Sequence, residues 1–276
     1  MPEIDLTAGT IDYQDTGGAG PVVVLLHGLV HDATVWRKVV ADLGRDHRCI
    51  APNLPYGSHR TPMRPEVRLD PDAVTDLIVE LLDRLDLREV TLVESDCGRA
   101  QTVVGRHPER LARLVLISCE AFDNYPPGLP GKLIQLAAKV PGAISLLSRS
   151  LALKPLRRLP VGIGALTKRP VPDRIVDGWL RPLLTDKAIR RDFRRYNLGV
   201  RKTELLEAVP GMRRFDKPAL VVWATEDLMM PREHGRRLAE LLPRGRLLEI
   251  EDSRTLIAED QPEQLSWALR EFIRAT

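Results

Sequence analysis

The chain has 276 residues, of which 43% are hydrophobic and 29% charged, and its formal net charge at pH 7 is +3. This hydrophobic content is enough to build a core, which excludes a chain that is disordered throughout. No apolar run approaches the roughly 20 residues that cross a bilayer, and the first residues lack the basic and apolar regions of a signal peptide. The three cysteines, Cys49, Cys97 and Cys119, lack metal-type spacing, so we expect a cytoplasmic protein without disulfide, metal or cofactor.

The predicted elements of the first 120 residues alternate between strands and helices. The aliphatic run Val22–Leu26 is typical of a strand buried on both faces. Asp70 followed by Pro71 predicts a helix start, because Asp is a good N-cap and Pro fits the first turn. The predicted order is strand 10–14, strand Val22–Leu26, helix 33–43, strand 48–51, a helix from Pro71, strand 89–93, helix 98–106 and strand 114–118. This alternation predicts a parallel sheet with helices on both faces.

The alternation stops between residues 122 and 212, where the pattern shows helical stretches broken by Pro and Gly. This segment carries 17 Lys or Arg against 7 Asp or Glu, a net of +10, and the rest of the chain has 24 against 31, a net of −7. The opposite charge indicates an inserted unit with its own surface. Alternation returns with strand Ala219–Ala224, helix 232–242, strand 246–250 and a last helix over 262–274.

The sharpest motif lies at residues 90–100, where a strand runs directly into a helix with Asp96 at the bend. A carboxylate held there can attack an electrophilic carbon and form an alkyl ester. After the strand Val22–Leu26, Gly28 allows a close backbone turn. The backbone N–H groups of Leu29 and Cys97 can therefore face one oxyanion site.

Two further acids and two flanking charges complete this set of candidates. Asp227 follows a strand end, a normal place for an orienting acid, and Glu120 is the alternative acid. Glu94 and Arg99 flank the bend at positions where small residues are usual. They either distort the turn or pair with each other beneath the nucleophile.

Together these motifs resemble the α/β-hydrolase superfamily, most of all its Asp-nucleophile branch of epoxide hydrolases and haloalkane dehalogenases. The resemblance covers residues 21–120 and 213–276. The matching pieces, in chain order, are His27-Gly28, Trp36, the Pro-Asn-Leu-Pro at 52–55, Asp96, the His-Pro-Glu-Arg at 107–110, and Asp227.

The resemblance implies an α/β-hydrolase fold with a mostly parallel, eight-stranded sheet. It divides the chain into a core of residues 1–121 and 213–276 and a helical cap, or lid, of residues 122–212. It also implies that Asp96 is the nucleophile, that Asp227 is the acid, and that Leu29 and Cys97 are the oxyanion donors. Trp36, Tyr125 and Tyr196 are candidates for binding the substrate, and cap tyrosines of relatives donate to an epoxide oxygen.

The pattern departs from the resemblance at the catalytic histidine. No histidine follows His234 in the sequence, and our alignment places Thr255 at the expected position. General-base help is worth about 10²–10⁴-fold, so without it an aspartyl ester forms but is not hydrolysed. His31, in the loop after Gly28, is the first candidate to replace the base, and His234 and His59 are the others.

Three functions are compatible with these residues. The first is a hydrolase of a small epoxide, halide or ester acting through Asp96. The second is a non-hydrolytic cyclase, lyase or isomerase of biosynthesis, that is, of secondary metabolism. The third is a catalytically inactive relative that binds a ligand. We favour an enzyme, nominally a hydrolase.

The expected partner is a small-molecule substrate. The basic segment 122–212 is suited to an anionic substrate or to one bound to an acidic carrier. An aromatic content of 4% without a recognition motif argues against nucleic acid. We expect no membrane partner, and the sequence does not predict the oligomeric state.

Overall fold

The structure, a computed structural model, describes residues 1–160 and 162–276. Eight strands form one sheet: β1 (Glu3–Leu6), β2 (Gly9–Asp15), β3 (Val22–Leu26), β4 (Arg48–Pro52), β5 (Val90–Asp96), β6 (Leu111–Cys119), β7 (Ala219–Ala224) and β8 (Gly245–Ile250). Their spatial order is β1-β2-β4-β3-β5-β6-β7-β8. The pairs β1–β2 and β2–β4 are antiparallel and the others are parallel, so the predicted mostly parallel, eight-stranded sheet is confirmed.

Helices connect these strands and cover the sheet. They are α1 (Arg37–Leu43), α2 (Pro71–Arg84), α3 (Arg99–Arg106), α4 (Gly128–Lys139), α5 (Ala143–Ala152), α6 (Lys154–Arg157), α7 (Asp173–Thr185), α8 (Lys187–Gly199), α9 (Glu204–Met212), α10 (Arg232–Leu241), α11 (Ile257–Asp260) and α12 (Pro262–Arg274), with short 3₁₀ helices at Ala33–Trp36 and Ile163–Ala165. The start of α2 is confirmed, because Asp70 accepts a hydrogen bond from the Ala73 N–H at 2.9 Å. Within the two described ranges, no helix is both long and apolar enough to cross a membrane.

The core lies on both faces of the sheet because successive side chains of a strand point to opposite sides. In β3, Val24 and Leu26 enter the cluster on one face. Val23 and Leu25 enter the cluster on the other. This is why the strand reads as an unbroken apolar run. β1 was not predicted, because it has only four residues and lies at the edge of the sheet, where its polar–apolar alternation is too short to stand out.

The helices α4 to α9 lie between β6 and β7 and make up the segment 122–212, which we name the helical insertion. Its last helix, α9, packs along α3. Glycines permit this close approach: a Cβ added at Gly98 would lie 2.7 Å from Leu205 Cδ2, and one added at Gly211 would lie 2.2 Å from the Gly105 carbonyl oxygen. The contact brings the end of the insertion directly beneath the bend that carries Asp96.

Candidate active site

Asp96 ends β5 and lies three residues before Arg99, the first residue of α3. Its φ of +73° is in the left-handed region, where a residue other than glycine carries backbone strain. Such strain is concentrated at functional sites and persists only where the surroundings enforce it. The bend places Asp96 at the carboxyl end of a central parallel strand, the edge at which open α/β sheets bind ligands.

The loop after β3 lies directly against the Asp96 carboxylate. The Leu29 N–H donates a hydrogen bond to Asp96 Oδ2 at 3.2 Å. A Cβ added at Gly28 would lie 2.0 Å from the same oxygen, so this position has room only for glycine. Oδ1 receives no hydrogen bond from the described residues and is the oxygen left for a substrate.

The second predicted oxyanion donor is engaged elsewhere. The Cys97 N–H donates to the Ser95 carbonyl oxygen at 2.9 Å, because the positive φ of Asp96 folds the chain into a tight turn. Of the two predicted oxyanion donors, the Leu29 N–H points at the Asp96 carboxylate and the Cys97 N–H points at the Ser95 carbonyl oxygen.

His31 lies beside the nucleophile candidate. Its Nε2 is 3.6 Å from Asp96 Oδ2, and only 1% of its side chain is exposed. Neither ring nitrogen has a hydrogen-bond partner among the described residues. The ring packs at 5.6 Å from the Trp179 ring and at 5.7 Å from the His27 ring. Aromatic packing thus holds a buried imidazole beside the Asp96 carboxylate.

The other candidate bases have different partners. His59 Nε2 lies 3.5 Å from Asp192 Oδ2. His234 Nε2 lies 3.9 Å from Asp123 Oδ1, and its ring packs edge-on to Phe122. None of the three histidines belongs to the described lining of the cavity above Asp96, and His31 is the one that lies within 4 Å of the Asp96 carboxylate.

His27 supports its own loop from inside the core. Its Nε2 accepts a hydrogen bond from the Leu54 N–H at 2.9 Å, and its Nδ1 is 2.8 Å from the Gly28 carbonyl oxygen. These contacts assign the proton to Nδ1. Burial lowers the pKa of His27 to about 3, so the ring stays neutral and holds the turn at Gly28 in place.

Thr255 completes the hydrogen bonds of Asp227. The Thr255 hydroxyl donates to Asp227 Oδ1 at 2.9 Å, and the N–H groups of Met229 and Met230 donate to the same oxygen at 2.8 and 2.9 Å. Burial raises the pKa of Asp227 to about 6, against the opposing effect of these hydrogen bonds. Within the described ranges no imidazole pairs with Asp227, which instead holds the turn after β7.

Glu120 follows β6 and contributes a second carboxyl group to the site. Its N–H donates to the Asp96 carbonyl oxygen at 2.9 Å. Burial first, and then the charge of Asp96, raise the pKa of Glu120 well above its usual range. Its Oε2 has no partner among the described residues and faces the same site as Asp96.

A cavity of about 680 Å³, including its open mouth, lies above these groups. Asp96 and Glu120 are its two ionisable residues within the described ranges. The other lining residues are apolar or glycine: Leu29, Val30, Pro127, Pro130, Gly131, Leu133, Ile134, Leu147, Leu151, Gly162, Ile163, Leu166 and Met229. The insertion's share of this lining, mostly from α4 and α5, was not predicted, although the helical spacing of its leucines was a usable signal.

Four residues predicted to contact the substrate are buried outside that lining, as far as the structure describes it. Cys97 and Trp36 lie in the core clusters on the two faces of the sheet. The Tyr125 hydroxyl is 3.4 Å from Arg99 Nη2. Tyr196 is 1% exposed, because α8 turns it toward the core. These side chains are therefore part of the buried interior and do not belong to the described lining of the cavity.

Glu94 and Arg99 also differ from the expected side-chain pair. The Glu94 carboxyl group accepts the N–H groups of Arg99 at 2.8 Å and of Ala100 at 2.6 Å, because the first N–H groups of α3 lack partners within the helix. Burial raises the pKa of Glu94 to about 8. The Arg99 guanidinium pairs with Glu204 of α9, a partner that the sequence did not reveal.

Comparison with known proteins identifies the family. The model of the alpha/beta hydrolase family matches residues 23–266. The uncharacterized hydrolase YugF of Bacillus subtilis (strain 168) is 24% identical over 95% of this chain and 92% of its own length. A haloalkane dehalogenase of Mesorhizobium japonicum is 32% identical over 51% of this chain and 47% of its own length.

A solved structure shows the same fold. An alpha/beta hydrolase fold protein from Burkholderia ambifaria superposes with a TM-score of 0.80, at 24% identity, over 97% of this chain and 96% of its own. The predicted α/β-hydrolase fold is therefore confirmed, and the hydrolases among the relatives support an enzyme. The chain belongs to the alpha/beta hydrolase family.

Proposed function

We propose that this chain hydrolyses a small apolar epoxide, with Asp96 as the nucleophile and His31 as the base. The observation that carries the proposal is the 3.6 Å approach of His31 Nε2 to Asp96 Oδ2 beneath an apolar cavity. His31 thereby takes the part that relatives give to a histidine after β8, where this chain has Thr255.

In the first step, Asp96 Oδ1 attacks an epoxide carbon and the carbon–oxygen bond of the ring breaks. Glu120 gives its proton to the oxygen that is released. The raised pKa of Glu120 favours an epoxide over an alkyl halide, because a halide leaves as a stable anion and needs no proton. The product of this step is an ester between Asp96 and the alcohol.

In the second step, water attacks the carbonyl carbon of that ester while His31 Nε2 accepts a proton. The Leu29 N–H, already bonded to Oδ2, stabilises the negative charge that develops on this oxygen. Collapse releases the diol, which takes the proton from His31. The water oxygen remains in the Asp96 carboxylate, and the second proton of the water restores Glu120.

The helical insertion supports this chemistry as a cap. Residues of α4 and α5 line the cavity across from Asp96 and Glu120. An apolar cover excludes bulk water and strengthens the electrostatic interactions at the nucleophile. We propose that residues 122–212 act as the lid over a core formed by 1–121 and 213–276.

The proposal is tested by intact mass spectrometry after incubation with a panel of apolar epoxides. We expect His31→Gln to accumulate a covalent adduct and to lose about 10²–10⁴-fold in turnover, because ester formation does not need the base. Asp96→Asn should form neither adduct nor diol. His234→Gln is the matched control and should behave like the wild type. Normal turnover by His31→Gln, or an adduct on the His234 variant instead, rejects the assignment of the base.

A single turnover in water enriched with heavy oxygen separates the three functions. Hydrolysis through an aspartyl ester puts the label into the peptide that contains Asp96. Rearrangement without any label indicates a non-hydrolytic enzyme and overturns the proposal. Ligands that raise the melting temperature without any conversion indicate an inactive binding protein.

A further inference from the structure

Helix α4 presents a stripe of large apolar residues to solvent. Leu129, Leu133, Leu136 and Val140 recur at intervals of three and four residues and are 40–59% exposed. The inward face of α4 carries the small residues Gly131 and Ala138. A surface helix normally has the opposite arrangement, with its large apolar residues facing the core.

The apolar surface continues along the next two helices. Four further leucines between residues 146 and 159 are exposed, by 41–70%: Leu146, Leu153, Leu156 and Leu159. Contiguous exposed apolar surface on this scale marks an interaction site. We name the exposed apolar and basic residues of 129–159 the docking surface.

The docking surface is also strongly basic. Residues 129–159 contain six Lys or Arg and no Asp or Glu. Three of the six pair with Asp173 of α7: Lys154, Arg157 and Arg158. Lys132, Lys139 and Arg149 are exposed, and none of them has a carboxylate within 4 Å in the described part of the chain. Helices that combine leucines with unpaired cations are typical of proteins that lie on an anionic lipid surface.

The docking surface leads into the cavity. Leu133 is 40% exposed on the stripe and also lines the cavity. Leu147 and Leu151 of α5 line it too. An apolar path therefore connects the outer face of the helical insertion to Asp96.

We propose that α4 to α6 dock on an anionic lipid surface, with the leucines buried among the acyl chains and the basic residues at the headgroups. An acidic carrier protein would account for the charges, but it leaves the eight exposed aliphatic side chains without a role. The sequence-based expectation of no membrane partner rests on the lack of a long apolar run. Peripheral docking needs no membrane-spanning segment. If the proposed function is correct, docking also gives a lipid-dissolved substrate direct access to the cavity.

The test is co-sedimentation of the full chain with vesicles, which needs no turnover and is independent of the proposed reaction. We expect binding to vesicles of phosphatidylcholine and phosphatidylglycerol in equal parts, and little binding to phosphatidylcholine alone. Lys139→Glu should weaken binding about fivefold or more, since each basic residue near such a surface contributes about that factor. Leu136→Glu should weaken it at least as much. The controls are Lys187→Glu and Leu198→Glu on α8, which should bind like the wild type.

Several results overturn the proposal. One is equal binding by all four variants, and another is wild-type binding that is insensitive to sodium chloride. A third is a wild-type dimer, seen by sedimentation velocity, that Leu136→Glu dissociates without any vesicle binding by either protein. Binding of the wild type to an acidic carrier protein but not to vesicles also overturns the proposal. Circular dichroism checks that each variant is folded. If the α4 variants do not fold, the salt dependence of vesicle binding by the wild type tests the proposal.

Discussion

At the scale of single residues, the hydrogen bonds of Asp227 determine how readily it binds a proton. The Thr255 hydroxyl is neutral, and it supplies one of three hydrogen bonds to a single oxygen, Oδ1. Oδ2 is buried without a partner among the described residues. A carboxylate in this setting binds a proton more readily, which is why burial raises its pKa to about 6.

This raised pKa predicts how Asp227→Asn changes stability with pH. Between about pH 4 and pH 6 the folded chain holds a proton on Asp227 that the unfolded chain has lost. The free energy of unfolding therefore falls as pH rises through this window, by up to about 3 kcal/mol, and the loss is complete above it. Asparagine does not titrate and keeps an oxygen for the same three donors.

We therefore expect the free energy of unfolding of Asp227→Asn to increase relative to that of the wild type as the pH rises from about 4 to about 7. The quantity to measure is the difference in unfolding free energy between the two proteins, from urea titrations at each pH, because the other titrating groups then cancel. A difference that stays constant, or that favours the wild type at the higher pH, contradicts a raised pKa at Asp227.

At the scale of elements, the contact between α3 and α9 depends on one buried ion pair. Arg99 is 0% and Glu204 1% exposed, and their side chains bond to each other. Removing two charges from water is expensive, and their attraction repays this only while both partners are present. The pair fixes how α9, the end of the helical insertion, lies beneath the bend at Asp96.

A double-mutant cycle measures this dependence. We expect Glu204→Met to destabilise the protein by about 3–5 kcal/mol, because it leaves the Arg99 charge buried and unpaired. The double variant Arg99→Met with Glu204→Met should be clearly more stable than Glu204→Met alone. Urea unfolding of the wild type, the two single variants and the double variant gives the coupling energy. Additive effects would show that the two side chains act independently.

At the scale of the whole molecule, the sequence predicted the sheet better than it predicted the contacts of the candidate site. Strands such as β3 and β7 were predicted to the residue, because a strand buried on both faces leaves an unbroken apolar run. Asp96 was singled out as a candidate residue because a strand that runs directly into a helix is a local pattern. The partner of Arg99 lies 105 residues away, and no local pattern encodes it. The same holds for the distance between His31 and Asp96, which depends on how two loops pack.

Opposite net charges divide the molecule, with +10 on residues 122–212 and −7 on the remainder. Ion pairs join residues 122–212 to the rest of the chain near the loop that follows β8. Lys168 Nζ lies 2.7 Å from Glu226 Oε2 and 2.8 Å from Asp252 Oδ1. Arg169 pairs with Asp252 as well. Each of these exposed pairs stabilises the contact only weakly, and salt screens it.

The double variant Glu226→Gln with Asp252→Asn tests whether these pairs hold the insertion to the rest of the chain. Asparagine suits the φ of +52° at position 252 and can still accept hydrogen bonds, so the substitution removes mainly charge. We expect a melting temperature about 3–5 °C below that of the wild type at low ionic strength. In strong sodium chloride the gap should shrink to less than half, because the Debye length falls to about 3 Å at 1 M. A gap that persists undiminished in salt would mean that the two carboxylates act through packing or hydrogen bonds, and that the opposite charges of the two parts do not hold them together.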